Sequence, residues 1–147
     1  MTPADAKALT DAAARWVEER ADLKSLALVG SWARNQARPD SDIDLLVLAD
    51  DPSAYRSERA WLSRVLPPPF RVISEHVADY GVVWSCHALL EPEAELELGF
   101  GPLTWAATDP IDAGTLGVVK GGFRIVVDKD GRLKRLLEAV DSRPSVS

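Results

Sequence analysis

Ala27-Leu28-Val29-Gly30-Ser31-Trp32-Ala33-Arg34-Asn35-Gln36-Ala37-Arg38-Pro39-Asp40-Ser41-Asp42-Ile43-Asp44-Leu45-Leu46-Val47-Leu48 is the stretch on which the reading of this chain turns. Leu26 to Val29 is a short apolar run that ends at glycine, the pattern of a buried strand. Gly30 has no Cβ, so the backbone there can turn sharply and come close to a ligand. Ser31 suits an N-cap, and the spacing predicts a short helix over about residues 32–37 whose free amides and positive dipole end face the turn. Such a turn suits a phosphate. Arg34 follows Ser31 by about one helical turn and can add a charged donor on the same side.

The two acids that follow obey strand periodicity. Asp42 and Asp44 stand at i and i+2, so their side chains leave the same face of a strand, about 6.6 Å apart at Cα. Ile43, Leu45 and Val47 point the other way, and Leu46 and Leu48 close the acidic face further along. Two carboxylates on a mostly buried strand are costly unless protons or a cation neutralise them. Hard cations take oxygen ligands. A pair of Mg²⁺ ions about 3.5–4 Å apart is one solution, and it catalyses in-line phosphoryl and nucleotidyl transfer.

Gly30-Ser31, Ala33-Arg34 and Ser41-Asp42-Ile43-Asp44-Leu45 together resemble the signature of the DNA polymerase β-like nucleotidyltransferase superfamily. More narrowly they look like its small bacterial branch of minimal and antibiotic-type nucleotidyltransferases. The resemblance implies an α+β fold with a mixed sheet of about five to six strands and helices mainly on one side. It assigns Gly30, Ser31, Arg34 and Ser41 to the nucleotide, and Asp42 and Asp44 to two Mg²⁺ ions, with Mn²⁺ as a substitute. It also implies a third acid on a neighbouring strand. Ala94 to Phe100 alternates polar and apolar residues, and Leu96-Glu97-Leu98 fits that position. Family members more often carry Asp there. Glu97 is the expected third ligand and proton acceptor, with Glu95 and Glu75 as alternatives. The run from Trp105 to Thr115 resembles the tail of certain small relatives.

Composition agrees with one enzyme-like domain over residues 1–141 and a flexible tail over 142–147. The chain has 147 residues, 46% hydrophobic and 27% charged, normal for a globular protein. One cysteine, Cys86, excludes an internal disulfide framework and reads as a buried thiol. No apolar run is long enough to span a bilayer, and the N-terminus lacks a signal-peptide pattern, so the cytoplasm is the expected location. The net charge of −6, with scattered basic residues, weighs against a large nucleic-acid surface.

Outward from the central stretch, residues 3–20 read as a helix with a Leu9, Ala13, Trp16, Val17 stripe. A second helix is expected over about 54–66, ended by Pro67-Pro68-Pro69. Phe70 to Val77, a turn at 78–81 and Val82 to Leu90 read as a hairpin. A helix from Asp109 to Gly121, a strand from Phe123 to Val127, a turn at 128–131 and a helix from Leu133 to Val140 complete the chain. Asp109 and Asp112 read as helix-start acids, and Asp128 and Asp130 as turn residues. His76 and His87 lack metal-ligand spacing and read as structural or surface groups, able to carry protons only if they line the cleft. Trp32 reads as a packing residue and Lys120 as a solvated helix end.

The implied reaction is transfer of a nucleoside monophosphate from an NTP, expected to be ATP, to an acceptor hydroxyl on a small molecule or protein. Acceptor contacts are expected from residues about 50–147, from a second subunit in a homodimer, or from a helical toxin-like partner. The alternatives are an antitoxin that binds or modifies a helical toxin, and a nucleotide-binding protein without turnover.

Overall fold

The computed structural model describes residues 1–38 and 41–142; residues 143–147 of the expected tail lie outside them. In chain order the elements are α1 (Pro3–Glu18), β1 (Leu23–Val29), β2 (Ile43–Ala49), α2 (Trp61–Val65), β3 (Arg71–Tyr80), β4 (Val83–Glu91), β5 (Ala94–Pro102), α3 (Ala113–Lys120), β6 (Phe123–Asp128) and α4 (Arg132–Asp141). Two short 3-10 segments, Pro52–Tyr55 and Leu103–Ala106, lie between them. Among the described residues no helix is long and apolar enough to cross a membrane.

The six strands form one mixed sheet in the order β3-β4-β5-β2-β1-β6. Only β2 and β5 run parallel. A parallel pair needs a long connection, and here that connection contains the whole β3–β4 hairpin. The α+β mixed sheet read from the sequence is thus the observed architecture.

Local chemistry explains the first helix. Thr2 and Asp5 form a reciprocal capping box, with backbone-to-side-chain bonds of 3.0 and 3.1 Å. Leu9, Ala13, Trp16 and Val17 are buried against the sheet face formed by Leu26, Leu28, Ile43, Leu45, Val47, Leu96 and Leu98. On the opposite face Ala27, Val29, Leu46 and Leu48 pack with Trp105 and Ala106 of the second 3-10 segment and with Leu133 and Leu136 of α4. Asp128 accepts from the amides of Leu133 and Lys134, at 3.1 and 2.9 Å, and so starts α4.

Three expectations need correction. The helix over 54–66 is two pieces, Pro52–Tyr55 and Trp61–Val65. Tyr55 and Trp61 are six residues apart, about 240° around a continuous helix, yet both enter one aromatic cluster. The break lets both face inward, and the Trp61 indole takes the Tyr55 carbonyl as its acceptor, at 2.9 Å. The short helix over 32–37 is instead a wound turn, in which the amides of Ala33 and Arg34 both bond the Gly30 carbonyl. Asn35, at φ 57°, leaves the right-handed region there. The hairpin turn is Gly81-Val82, and β3 runs on to Tyr80.

Phe100 is the centre of the core. Fully buried, it meets Trp84, Trp61, Tyr55 and Trp16 at ring-centroid distances of 4.7, 5.2, 5.3 and 6.2 Å. The change Phe100→Ala is expected to destabilise the protein by about 3–5 kcal/mol, read as a lower urea midpoint. An unchanged midpoint would show that the cluster closes over the gap.

Candidate active site

One row of side chains crosses the sheet. His76, His87, Glu97, Asp44 and Val29 are successive register partners on β3, β4, β5, β2 and β1. Alternation along each strand places the row on the face that carries Leu46 and Leu48. Because β2 and β5 pair without a slip, Asp44 and Glu97 stand directly opposite. Their carboxyls share a hydrogen bond.

The electrostatics follow from that contact. Burial is the largest cause that raises the Asp44 carboxyl to a pKa of about 8. The Glu97 charge, the bond shared with Glu97 and the Asp42 charge add to it. Asp44 therefore stays protonated well above the usual carboxylate range. On its other side Glu97 meets His87, with Nε2 3.0 Å from Oε1. Tyr80 Oη is 3.3 Å from the same nitrogen. The charge of Glu97, ahead of burial and Asp44, raises the Tyr80 phenol above its ordinary value.

The other expected residues are placed as follows. Asp42 is exposed just before β2 and lines a small pocket of about 190 Å³ with His76, His87 and Glu95. Glu75 points to the opposite face of β3, where it pairs with Arg59. Gly30, at φ 75°, ends β1 beside the acids: a Cβ there would lie 3.7 Å from Asp44 Oδ2. The Gly30 amide donates to the Gly122 carbonyl at 3.1 Å. The amides of Ser31 and Trp32 make no hydrogen bond among the described residues. The Arg34 guanidinium bonds the Gly121 carbonyl at 2.6 Å and Gln36 at 2.8 Å. Ser41 accepts from the Arg38 amide at 2.8 Å, and its carbonyl accepts from the Trp32 indole at 3.4 Å. Asp112 caps α3, as a helix-start acid does.

A cavity of about 790 Å³ opens beside Asp44 and Glu97. Its walls include Tyr80, Val82 and Val83 of the hairpin, Trp105, and Asp112, Thr115 and Val118 at α3. That is the volume of a small-molecule site. Sequence reasoning missed His87 and Tyr80 here. The signal was the hairpin register, since a turn at Gly81-Val82 pairs His76 with His87 and brings both beside Glu97.

Among the described residues no three His, Cys, Asp or Glu side chains are arranged to hold a metal ion. Two acids forced together by the backbone, both oxygen donors, nevertheless suit a hard cation in place of the Asp44 proton. In the metal-free protein the folded state keeps the Asp44 proton that the unfolded chain loses near pH 4. Stability is therefore expected to fall as pH rises from about 4 to about 8. The isostere Asp44→Asn is expected to flatten that decline and to stabilise the metal-free protein at pH 8 by on the order of 2 kcal/mol. Urea unfolding in the presence of chelator measures both.

Comparison with known proteins places these features in a family. Residues 11–84 match the family model described as the nucleotidyltransferase domain. The chain is 31% identical over 119 residues to a Methanocaldococcus jannaschii protein named "Putative protein adenylyltransferase", covering 81% of this chain and 68% of that protein. Its fold is similar to that of an aminoglycoside 6-adenyltransferase from Bacillus subtilis, with a TM-score of 0.54 and 15% identity over 71% of this chain. The chain spans only 37% of that enzyme's length, and the likeness is one of fold alone. Together with the mixed sheet and the motif at its centre, these matches mean that the chain belongs to the nucleotidyltransferase domain family.

Proposed function

We propose that the protein transfers a nucleoside monophosphate from ATP to an acceptor hydroxyl, with Asp44, Glu97 and Asp42 holding divalent metal, Mg²⁺ or Mn²⁺. The single observation that carries this reading is the pairing of Asp44 with Glu97 across the parallel strands, next to the Gly30-Ser31 turn. Divalent cations bound there would lower the acceptor hydroxyl's pKa and offset charge on the triphosphate. The amides of Ser31 and Trp32, which make no hydrogen bond among the described residues, are suited to phosphate oxygens. Ser41 shapes the approach to Asp42 through its bond with Arg38. Arg34 supports the turn from behind through Gly121, and so acts on the nucleotide through the backbone.

Atoms balance simply. The acceptor oxygen attacks the α-phosphorus, the bond to the β-phosphate bridging oxygen breaks, and pyrophosphate leaves. Glu97 takes the acceptor proton. The cavity beside Glu97 receives the acceptor. A protein hydroxyl is the favoured acceptor, supported by the relative at 31% identity that bears the name of a protein adenylyltransferase. A small-molecule hydroxyl is the second reading, supported by the cavity volume of about 790 Å³.

The test uses α-labelled ATP with Mg²⁺ against candidate proteins, aminoglycosides, lincosamides and RNA. Label is expected on an acceptor hydroxyl, and Asp44→Asn is expected to lower kcat by about 10²–10³-fold with the fold intact. Transfer that survives Asp42→Asn combined with Asp44→Asn would sink the assignment. Absence of both ATP and metal binding by calorimetry would favour a protein without turnover. Copurification with a small helical protein that accepts the label would favour the antitoxin reading.

A further inference from the structure

We propose that His87 is a positioning residue that holds Glu97 turned toward Asp44 through the close polar contact of its Nε2 with Glu97 Oε1. This rests on the reading of Glu97 as an acid of the nucleotidyl-transfer site. Glutamate has a long side chain with several rotamers, and confining it to one sacrifices conformational entropy. A fixed donor on one oxygen makes that choice in advance and leaves the other oxygen for the site.

The geometry points to a built clamp. His87 Nε2 stands 3.0 Å from Glu97 Oε1, and both side chains are largely buried, at 25% and 17% exposure. That distinguishes them from a solvated surface pair, whose attraction is screened. The His76 ring stacks on His87 with centroids 4.8 Å apart and planes 3° from parallel, fixing the imidazole from one side. Tyr80 Oη, 3.3 Å from Nε2, approaches it from the hairpin tip. Nε2 thus has two polar neighbours, the nearer carboxylate oxygen of Glu97 and the more distant phenol oxygen of Tyr80. Glu97 and Tyr80 line the large cavity, whereas His87 lines the small pocket with Asp42, so the contact holds Glu97 from the side away from the large cavity.

Two variants separate the donor from the ring. His87→Phe keeps a ring to stack on His76 and removes the donor. His87→Gln keeps an amide donor near the Nε2 position. The first measurement is calorimetric binding of Mn²⁺ in the presence of α,β-methylene ATP, which needs no acceptor. H87F is expected to weaken Mn²⁺ binding by about 10-fold and H87Q to restore it. In transfer assays H87F is expected to lower kcat by about 10–100-fold with KM for ATP within about 2-fold, and H87Q again to recover most of the loss. Should H87F unfold, H87N against H87Q decides the same question, since the shorter amide stops short of Glu97. If H87F binds Mn²⁺ and turns over like the parent while Asp44→Asn is inactive, the clamp is overturned and the nucleotidyl-transfer reading stands. If Glu97→Gln leaves both Mn²⁺ binding and transfer unchanged, Glu97 is not an acid of the site, and the clamp falls with that assignment while nucleotidyl transfer stands.

Discussion

Everything at the centre of this protein depends on one backbone constraint, the parallel pairing of β2 with β5. From Ile43 opposite Leu96 to Ala49 opposite Pro102 the register never slips. Asp44 and Glu97 are consequently held side by side on a largely buried sheet surface, where like charges repel and water is scarce. The polypeptide meets that strain by holding the Asp44 carboxyl protonated well above its usual range. A divalent cation bound between the two acids would relieve it more fully.

The same strand supplies the stability that this arrangement draws on. On one face of β5, Leu96, Leu98 and Phe100 enter the core, where Phe100 is surrounded by four aromatic rings. On the other face the strand presents Glu97, then Gly99 and Gly101. The two glycines leave only narrow space. A Cβ at Gly99 would come within 3.2 Å of Ser85 Oγ, and one at Gly101 within 3.2 Å of Val83. Small residues there let Val83, Leu46 and Leu48 settle against the strand beside the polar row. Core and polar row are thus two sides of a single two-residue alternation.

How much of this was legible in the sequence differs by feature. The alternation of β5, the Gly-Ser turn and the acids one residue apart could be read directly, because each is a local pattern that burial enforces. The strand partners of Asp44 were less accessible, since sheet order is a long-range property and only family likeness suggested an acid opposite it. His87 was missed through a hairpin register. A four-residue turn at 78–81 would pair His76 with Val83, and only the tighter Gly81-Val82 turn sets His76 beside His87. The helix over 54–66 failed for a tertiary reason. Tyr55 and Trp61 satisfy helical periodicity poorly but satisfy the aromatic cluster well, and packing outweighed propensity. The turn after Gly30 failed locally, at Asn35.

The contact between Gly30 and Gly122 has a mechanical consequence. The Gly30 amide bonds the Gly122 carbonyl, and a Cβ on Gly122, at φ 119°, would press within 2.7 Å of the Gly30 carbonyl. Two chain segments distant in sequence are interlocked at bare backbone, with Arg34 bolted across them to Gly121. The loop that faces the acids is therefore an anvil. Its position is set by the start of β6 and the end of α3, so any motion that opens it must carry both of those elements along.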